Sequence, residues 1–170
     1  MRRIMIIGGP GSGKSTLARR LAERTGLPHI HLDALYWEPG WRETDKARFI
    51  QAVRQRIAED AWIIDGNYSA TWRERADRAD HVVFLDAPTA VRLARIVMRT
   101  LRCYGRSRPD LAPGCPERFT NDFLQYALGY AEQQRPAALA LCAQPSVRDK
   151  AVIARNVDDA FAALVDAAGR

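Results

Sequence analysis

Residues 8–16, Gly8-Gly9-Pro10-Gly11-Ser12-Gly13-Lys14-Ser15-Thr16, decide the interpretation of this chain. They fit the pattern G-x-x-x-x-G-K-[ST] of a phosphate-binding loop (P-loop). The defining positions are Gly8, Gly13, Lys14 and Ser15. A chance glycine-rich turn is the alternative, and the sequence on either side argues against it.

The residues on either side predict a strand that turns sharply into a helix. An apolar run over 3–7 is typical of a buried parallel strand, and 15–25 has the pattern of a helix. Such a turn aims free backbone N–H groups and the positive end of the helix dipole at one point, where they hold an anion. Lys14 is expected to reach the β- and γ-phosphates, and the Ser15 hydroxyl to bind Mg²⁺. We therefore predict a site for ATP and Mg²⁺, with ATP held by Gly8, Pro10, Gly11, Ser12, Gly13, Lys14, Ser15 and Thr16.

Length and composition predict one globular domain over residues 1–170. No apolar run approaches the roughly 20 residues that a membrane span needs, and no signal peptide is evident. The three cysteines are too few and too scattered for a disulfide framework or a zinc site. We expect a cytoplasmic protein with no membrane partner, as a monomer or a homodimer.

The chain is basic, with a net charge of +6, and most of the excess lies in one segment. Only three of its 26 basic residues are lysines, and seven arginines fall between Arg92 and Arg118. Arginine suits bidentate phosphate recognition, so the cluster fits a small polyphosphate at least as well as a nucleic acid. Five of these arginines, at 92, 95, 99, 102 and 106, would share one stripe of a helix, opposite an apolar stripe. A merely solvated basic stripe is the alternative.

Strands and helices alternate along the whole chain. Strands are predicted at 3–7, 28–32, 62–64, 81–85 and 150–154, and helices at 15–25, 45–59, 71–76, 88–104, 119–134 and 157–168. A loop is expected over 34–44, and a turn-rich stretch over 135–145. This order predicts a three-layer α/β fold with a five-stranded parallel sheet. Ligands should collect at the carboxyl ends of the strands, where Asp33, Asp65, Asp86 and Arg155 fall.

Four stretches carry a family resemblance: 6–16, H-L-D-A-L-Y-W-E-P-G-W at 31–41, I-I-D-G-N-Y at 63–68, and G-R-S-R-P-D…G-C-P-E-R-F at 105–119. Over essentially its whole length the chain resembles the P-loop nucleotide and small-molecule kinases, the group of adenylate kinase and shikimate kinase. It is most similar to a bacterial subgroup known as DNA topology modulation proteins. The resemblance implies a fold like that of nucleoside monophosphate kinases, with an acceptor-binding segment at 34–60 and a short arginine-rich lid at 102–118.

The resemblance also implies roles for two carboxylates. Asp65 would hold Mg²⁺ through water, although an Asp that caps the turn before Gly66 is the alternative. Asp33 would grip or deprotonate the acceptor hydroxyl, and a helix-cap or turn role is the alternative.

Further arginines gain roles by the same resemblance. Arg102 would stack on adenine, and Arg106 and Arg108 would neutralise charge on the transferring phosphoryl group. Arg135 lies where these kinases supply additional arginines, and Arg155 lies in the loop that wraps adenine.

The chain departs from adenylate kinase at the acceptor side. Asp65-Gly66 continues with Asn67-Tyr68 instead of F-P-R, whose arginine holds an acceptor monophosphate. The aromatic residues Tyr36, Trp37 and Trp41 could stack on a substrate ring or form a small core beneath their loop. The acceptor is therefore either a nucleoside monophosphate or a hydroxyl-bearing metabolite or nucleoside.

Our first hypothesis is an ATP-dependent phosphotransferase. An ATP-binding DNA-associated regulator is the second, although no helix-turn-helix or zinc-finger motif is evident. A switch GTPase or motor ATPase fits poorly, because the chain has no N-K-x-D guanine motif and little room for an extra helical domain.

Overall fold

The computed structural model of the chain describes residues 1–107 and 114–168, with side chains described through residue 166. In chain order the elements are β1 (Arg3–Gly8), α1 (Lys14–Thr25), β2 (His29–His31), α2 (Leu32–Tyr36), β3 (Trp37–Glu38), β4 (Arg42–Glu43), α3 (Lys46–Ala58), β5 (Trp62–Asp65), α4 (Trp72–Arg78), β6 (His81–Leu85), α5 (Thr89–Cys103), α6 (Asn121–Gln133), α7 (Arg135–Ala143), β7 (Ala151–Ala154) and α8 (Val157–Ala168). Short 3-10 turns cover Ser69–Thr71 and Arg148–Lys150.

The central feature is a parallel sheet with the strand order β2-β5-β1-β6-β7. Residues 4–7 of β1 are fully buried, since helices cover both faces of the sheet. Met5 and Ile7 point into a core with α3, α4 and α7, whereas Ile4 and Ile6 point into a second core with α1 and α8. This alternation follows from the two-residue period of a strand. The predicted three-layer α/β fold with five parallel strands is confirmed.

Two segments differ from their predicted form. The expected loop at 34–44 contains the short helix α2 and the hairpin β3–β4, which turns through Gly40 and Trp41 at positive φ. The expected turn-rich stretch at 135–145 is largely the helix α7. Pro136 stands in the first turn of α7, where its missing N–H leaves no hydrogen bond unmade, so this proline begins a helix and does not prevent one.

Helix α5 buries a line of residues that carries only one of its four arginines. Arg92 is 2% exposed and Ile96 and Thr100 are 1% exposed, whereas Arg95 and Arg102 are exposed and Arg99 is half-buried. Leu101, on the apolar stripe, is 64% exposed, so neither stripe is buried as a whole. Among the described helices, none is long and apolar enough to cross a membrane.

Asp80, the residue before β6, connects this strand to the start of β1. Its carboxylate accepts hydrogen bonds from the backbone N–H groups of Arg2 and Arg3 at 2.7 and 2.9 Å, and from the Arg3 guanidinium at 2.9 Å. Burial acts to raise the pKa of this carboxyl, but the hydrogen bonds outweigh burial and lower the pKa of Asp80 to about 2.

We expect Asp80→Asn to lower the free energy of unfolding by ~1–2 kcal/mol at pH 7, a range discounted for partial solvent exposure. The folded-state pKa lies below the unfolded-state value, so this stabilisation is present above about pH 4 and is lost as the pH falls toward about 2. Urea unfolding of both proteins should show a difference at pH 7 that shrinks by about half at pH 3. The exposed neighbour Asp77→Asn is the control, and a pH-independent difference would contradict the assignment.

Candidate phosphate-binding and catalytic site

The P-loop is a compact turn between β1 and α1. The N–H of Ser12 donates to the Gly9 carbonyl at 3.1 Å, and Gly11 and Gly13 adopt φ values of 76° and 104°. A Cβ on Gly11 would collide with the backbone carbonyl of Arg92, so glycine is required there for the conformation and for the space. The loop therefore keeps its backbone N–H groups clustered at the N-terminus of α1.

Lys14 lies across this loop. Its ammonium donates to the carbonyls of Gly8 and Gly9 at 2.9 and 3.0 Å. Burial lowers the pKa of Lys14 to about 8, partly opposed by the negative charges of Asp65 and Asp33. The cation is therefore held against the P-loop backbone, in the field of two carboxylates.

Ser15 and Asp65, the two residues predicted to hold Mg²⁺, are in direct contact. The Ser15 hydroxyl donates to Asp65 Oδ2 at 2.8 Å, and Asp65 is fully buried at the carboxyl end of β5. Hydroxyl and carboxylate oxygens are ligands that Mg²⁺ prefers. The buried Ser12 Oγ, for which no hydrogen-bond partner is found in the described part of the chain, adds an unused donor in the same loop. These residues fit Mg²⁺ and a triphosphate.

Two histidines of β2 contact Asp65 from its other side. His29 Nε2 and His31 Nδ1 each lie 2.8 Å from Asp65 Oδ1. Burial acts to raise the pKa of Asp65, but the hydrogen bonds from His29 and His31 outweigh it, and the pKa of this carboxyl is well below its usual range. Asp65 is therefore a permanent anion. Neither histidine was predicted as a site residue, although their i, i+2 spacing on a predicted strand indicates a common face.

Asp33 lies in the first turn of α2 and does not cap that helix, for which His31 is the N-cap residue. The Tyr68 hydroxyl donates to Asp33 Oδ1 at 2.8 Å, and His31 Nε2 lies 3.3 Å from Asp33 Oδ2. Burial acts to raise the pKa of Asp33, but the contacts with His31 and Tyr68 lower it further than burial raises it. Asp33 is a held, ionised carboxylate, linked through His31 to Asp65.

The arginines that contact the P-loop come from the first half of α5. Arg92 donates to the carbonyls of Pro10 and Ala127, and Arg95 donates to the carbonyl of Ser12 at 3.0 Å. The 3-and-4 spacing of the arginines could have identified both residues before the structure did. They fix the loop through its backbone.

Arg99, one turn further along α5, is close enough to Lys14 to lower its pKa. Its guanidinium pairs with the buried Glu117 at 2.8 Å, which ties α5 to the far end of the lid segment. Sequence reasoning did not assign Arg99 a role either.

The predicted lid arginines lie further along. Arg102 and Arg106 are exposed, and Arg108 lies outside the described residues, so their roles stay predictions. Arg135, at the start of α7, forms a two-pronged pair with Asp86 at 2.7 and 2.8 Å. Asp86 follows β6, which brings Arg135 to the carboxyl edge of the sheet.

The remaining predicted ATP contacts flank the loop. Thr16 is exposed in the first turn of α1. Arg155 is exposed directly after β7. Val157, two residues further along the chain, lies so close to Gly13 that a Cβ added to this glycine would stand 2.7 Å from the valine Cγ2. The segment after β7 therefore borders the P-loop, where an adenine contact is predicted.

The aromatic residues of the segment 34–60, which is predicted to bind the acceptor, pack on one another. Tyr36 contacts Trp37 and Phe49 edge-on, with ring centroids 5.0 and 5.2 Å apart, and Trp37 contacts Trp41 at 5.4 Å. Of the two alternatives, these contacts match the small core beneath the loop. Tyr36 also contacts Tyr68 at 4.8 Å, and both line a cleft of about 340 Å³.

The hairpin of this segment contacts the end of the lid segment. Gly40 N–H donates to the Gly114 carbonyl at 2.8 Å, and Trp41 Nε1 donates to the Pro116 carbonyl at 2.9 Å. Cys115 Sγ lies 3.3 Å from the Glu38 carbonyl. Residues 38–41 and 114–116 therefore hold each other in place.

The parallel sheet, the P-loop and the carboxylates at its rim define a P-loop protein of the kinase type. The family model AAA_18, described as an AAA domain, matches residues 4–110, and the chain belongs to this family. It is 33% identical over 136 residues to the uncharacterized protein YqaC of Bacillus subtilis, covering 76% of this chain and 72% of that protein.

Kinases are among its other relatives and structural neighbours. It is 32% identical to a cytidylate kinase of Aeropyrum pernix, over 56% of this chain and 63% of that protein. A gluconokinase structure from Sinorhizobium meliloti, at 25% identity, matches with a TM-score of 0.54 and covers 99% of this chain and 94% of the other. A shikimate kinase structure from Acinetobacter baumannii, at 15% identity, matches with a TM-score of 0.60 over 98% of this chain and 94% of the other, and shares the fold.

Proposed function

We propose that this protein is an ATP-dependent phosphotransferase that moves the γ-phosphoryl group of Mg²⁺-ATP to a small acceptor. One observation carries the proposal: Asp65, which accepts from the Ser15 hydroxyl of the P-loop at 2.8 Å, and Asp33, on the acceptor side, both contact the ring of His31. The groups that would hold a triphosphate and its metal and the group that would hold an acceptor hydroxyl are therefore neighbours at one edge of the sheet. Relatives named adenylate and cytidylate kinases support the same class of reaction.

The chain's own residues have distinct tasks in this reaction. Lys14 and the P-loop N–H groups would neutralise phosphate charge, and Ser15 and Asp65 would hold Mg²⁺, which would supply further positive charge to the phosphates. Asp33 would accept a hydrogen bond from the acceptor hydroxyl and take its proton as the new O–P bond forms and the bond from the γ-phosphorus to the bridging oxygen of ATP breaks, so that ADP leaves. Its lowered pKa keeps it ionised and makes it a weak base, so most of its contribution is orientation.

The lid arginines complete the proposal. Arg102 would contact adenine, and Arg106 and Arg108 would neutralise the transferring phosphoryl group. Arg135 would add positive charge from its position beside Asp86, at the carboxyl edge of the sheet. The contacts between 38–41 and 114–116 support a lid that excludes water over the acceptor.

Among acceptors, we favour a neutral, hydroxyl-bearing molecule over a nucleoside monophosphate. Two of the three arginines that follow Asp65-Gly66 on α4 are engaged within the protein: Arg75 donates to the carbonyls of Gly66 and Asn67, and Arg78 to that of Ile57. The cleft beside Tyr68 is lined mainly by aromatic, apolar and small residues, with Lys46 as its one basic residue among those described.

The α5 arginines also bear on the DNA-binding alternative. Arg92 and Arg95 donate to backbone carbonyls, and Arg99 is paired with Glu117. Because these cations are engaged within the protein, the basic excess gives less support to nucleic-acid binding than the sequence alone suggested.

An ADP-release assay over two acceptor panels tests the proposal. One panel holds nucleoside monophosphates, and the other holds nucleosides and hydroxylated metabolites. We expect an acceptor from the second panel to accelerate ADP release above solvent hydrolysis, and Asp33→Asn to reduce that transfer by about 10²–10⁴-fold. The exposed Asp158→Asn is the matched control, since its carboxylate contacts only Arg20 among the described contacts. No transfer to any acceptor would overturn the proposal.

A further inference from the structure

The group formed by the buried Asp65 and the half-buried His29 and His31 has more coordinating atoms than the proposed reaction needs. One ring nitrogen of each histidine and one oxygen of Asp65 all lie within 4.8 Å of one another. Magnesium held by Ser15 would use Asp65 Oδ2, whereas both histidines address Oδ1. The second oxygen of Asp65 therefore faces a separate set of donors.

We propose that His29, His31 and Asp65 form a binding site for a divalent transition-metal ion such as Zn²⁺, beside the P-loop and sharing Asp65 with it. The site is distinct from the magnesium pair, because its nitrogen donors are ligands that magnesium disfavours and that zinc, iron, cobalt and copper prefer. A set of two histidines and one carboxylate is a common arrangement for such ions.

The spacing of the donor atoms fits an ion of this size. Metal–nitrogen and metal–oxygen bonds of about 2.1 Å separate neighbouring ligand atoms by about 3.4 Å at the tetrahedral angle that Zn²⁺ prefers. The observed separations from Asp65 Oδ1 are 2.8 Å to His29 Nε2 and 2.8 Å to His31 Nδ1, and the two ring nitrogens lie within 4.8 Å of each other. The histidines therefore need to move away from Asp65 by about 0.6 Å to admit the ion.

The surroundings of His31 support the same assignment. A histidine that binds a metal usually donates its other ring N–H to a carboxylate, which fixes the ring orientation and raises its basicity. His31 Nε2 lies 3.3 Å from Asp33 Oδ2, and Asp33 is itself held by the Tyr68 hydroxyl. The outer partner of a metal-binding histidine is thus already in place.

The position in the sheet gives the ion a route of entry. β2 is an edge strand, and the His29 side chain keeps 20% of its surface exposed, whereas Asp65 has none. An ion can therefore approach from the β2 edge without passing through the P-loop.

Metal binding is best measured directly, on the full chain freed of metal and without nucleotide. Zn²⁺ is titrated in competition with a chromophoric chelator, and Co²⁺ is used to record the ligand-field spectrum. We expect one ion per chain, and at least about a 10-fold loss of affinity in His29→Ala and in His31→Ala. Millimolar Mg²⁺ should leave Zn²⁺ binding almost unchanged, because the site contains nitrogen donors.

Control variants distinguish this site from other residues of the chain that could bind a metal ion. His81→Ala removes the third histidine, which lies on β6 and is separated from β2 by strands β5 and β1, and should bind Zn²⁺ as the wild type does. A Co²⁺ spectrum without thiolate charge-transfer bands excludes the cysteines. Equal Zn²⁺ affinity in the wild type and His29→Ala, or displacement by Mg²⁺ at comparable concentration, overturns the proposal. Kinase activity is not used as a readout, so the proposed function can fail independently.

Discussion

Replacing Lys14 with methionine is expected to reduce ATP-dependent phosphoryl transfer by about 10²–10³-fold while the fold remains intact. The ammonium is the cation nearest the expected phosphates, and its loss removes charge stabilisation that develops during transfer. Methionine retains the apolar stem, and removing a cation whose pKa burial lowers to about 8 relieves an unfavourable desolvation. Transfer is measured by ADP release, and folding by circular dichroism and thermal unfolding.

Lys150 offers a matched control for this substitution. Its ammonium also donates to two backbone carbonyls, those of Ala76 at 2.8 Å and Ala79 at 2.9 Å, but it lies before β7 and away from the P-loop. Lys150→Met should cost stability and leave transfer per folded molecule unchanged. If Lys14→Met kept wild-type transfer, the assignment of the P-loop as the catalytic phosphate site would be wrong.

Replacing Arg75 with methionine is expected to lower the free energy of unfolding by about 3–5 kcal/mol. This guanidinium is fully buried and donates to the carbonyls of Gly66, Asn67 and Tyr68 and to the Thr71 hydroxyl. Without it, the Gly66 carbonyl loses this donor, whereas the Asn67 carbonyl keeps Trp72 Nε1 and the Tyr68 carbonyl keeps the Thr71 N–H. Burial lowers the pKa of Arg75 to about 9, so relief of its desolvation offsets part of the loss.

Urea unfolding measures this effect, with the exposed Arg73→Met on the same helix as the control, for which we expect a change within about 0.5 kcal/mol. Arg75→Lys supplies a second variant if the methionine protein does not fold. A lysine cannot bridge the same set of carbonyls, so an intermediate loss is expected. Equal stability of Arg75→Met and the wild type would show that the segment is held by other contacts.

Much of the fold was predictable because its signals are local. The apolar runs of β1, β5 and β6 and the helix α8 follow from side-chain pattern alone, and the P-loop motif fixes the connection of β1 to α1. The secondary-structure predictions were wrong where one local sequence signal is compatible with two structures. Pro136 can end a helix or begin one, and which occurs depends on what its helix packs against.

The contacts of the candidate site were likewise predicted only in part. Ser15 and Asp65 were predicted as a pair, and the structure brings them together at 2.8 Å. The contacts of Asp65 with His29 and His31 were not predicted. They depend on the pairing of β2 with β5, and the sequence alone does not show which strands are neighbours in the sheet.

By itself the sequence determined the alternation of strands and helices, the phosphate-binding turn, and the arrival of several charged residues at one edge of the sheet. Only the tertiary structure decided which charges meet. The stripe on α5 could have faced water or the protein, and its packing over the P-loop puts Arg92 and Arg95 on backbone carbonyls and leaves Leu101 exposed. The physical reason is that helical and strand periods specify which residues share a face, whereas the partner of that face depends on contacts between residues distant in the chain.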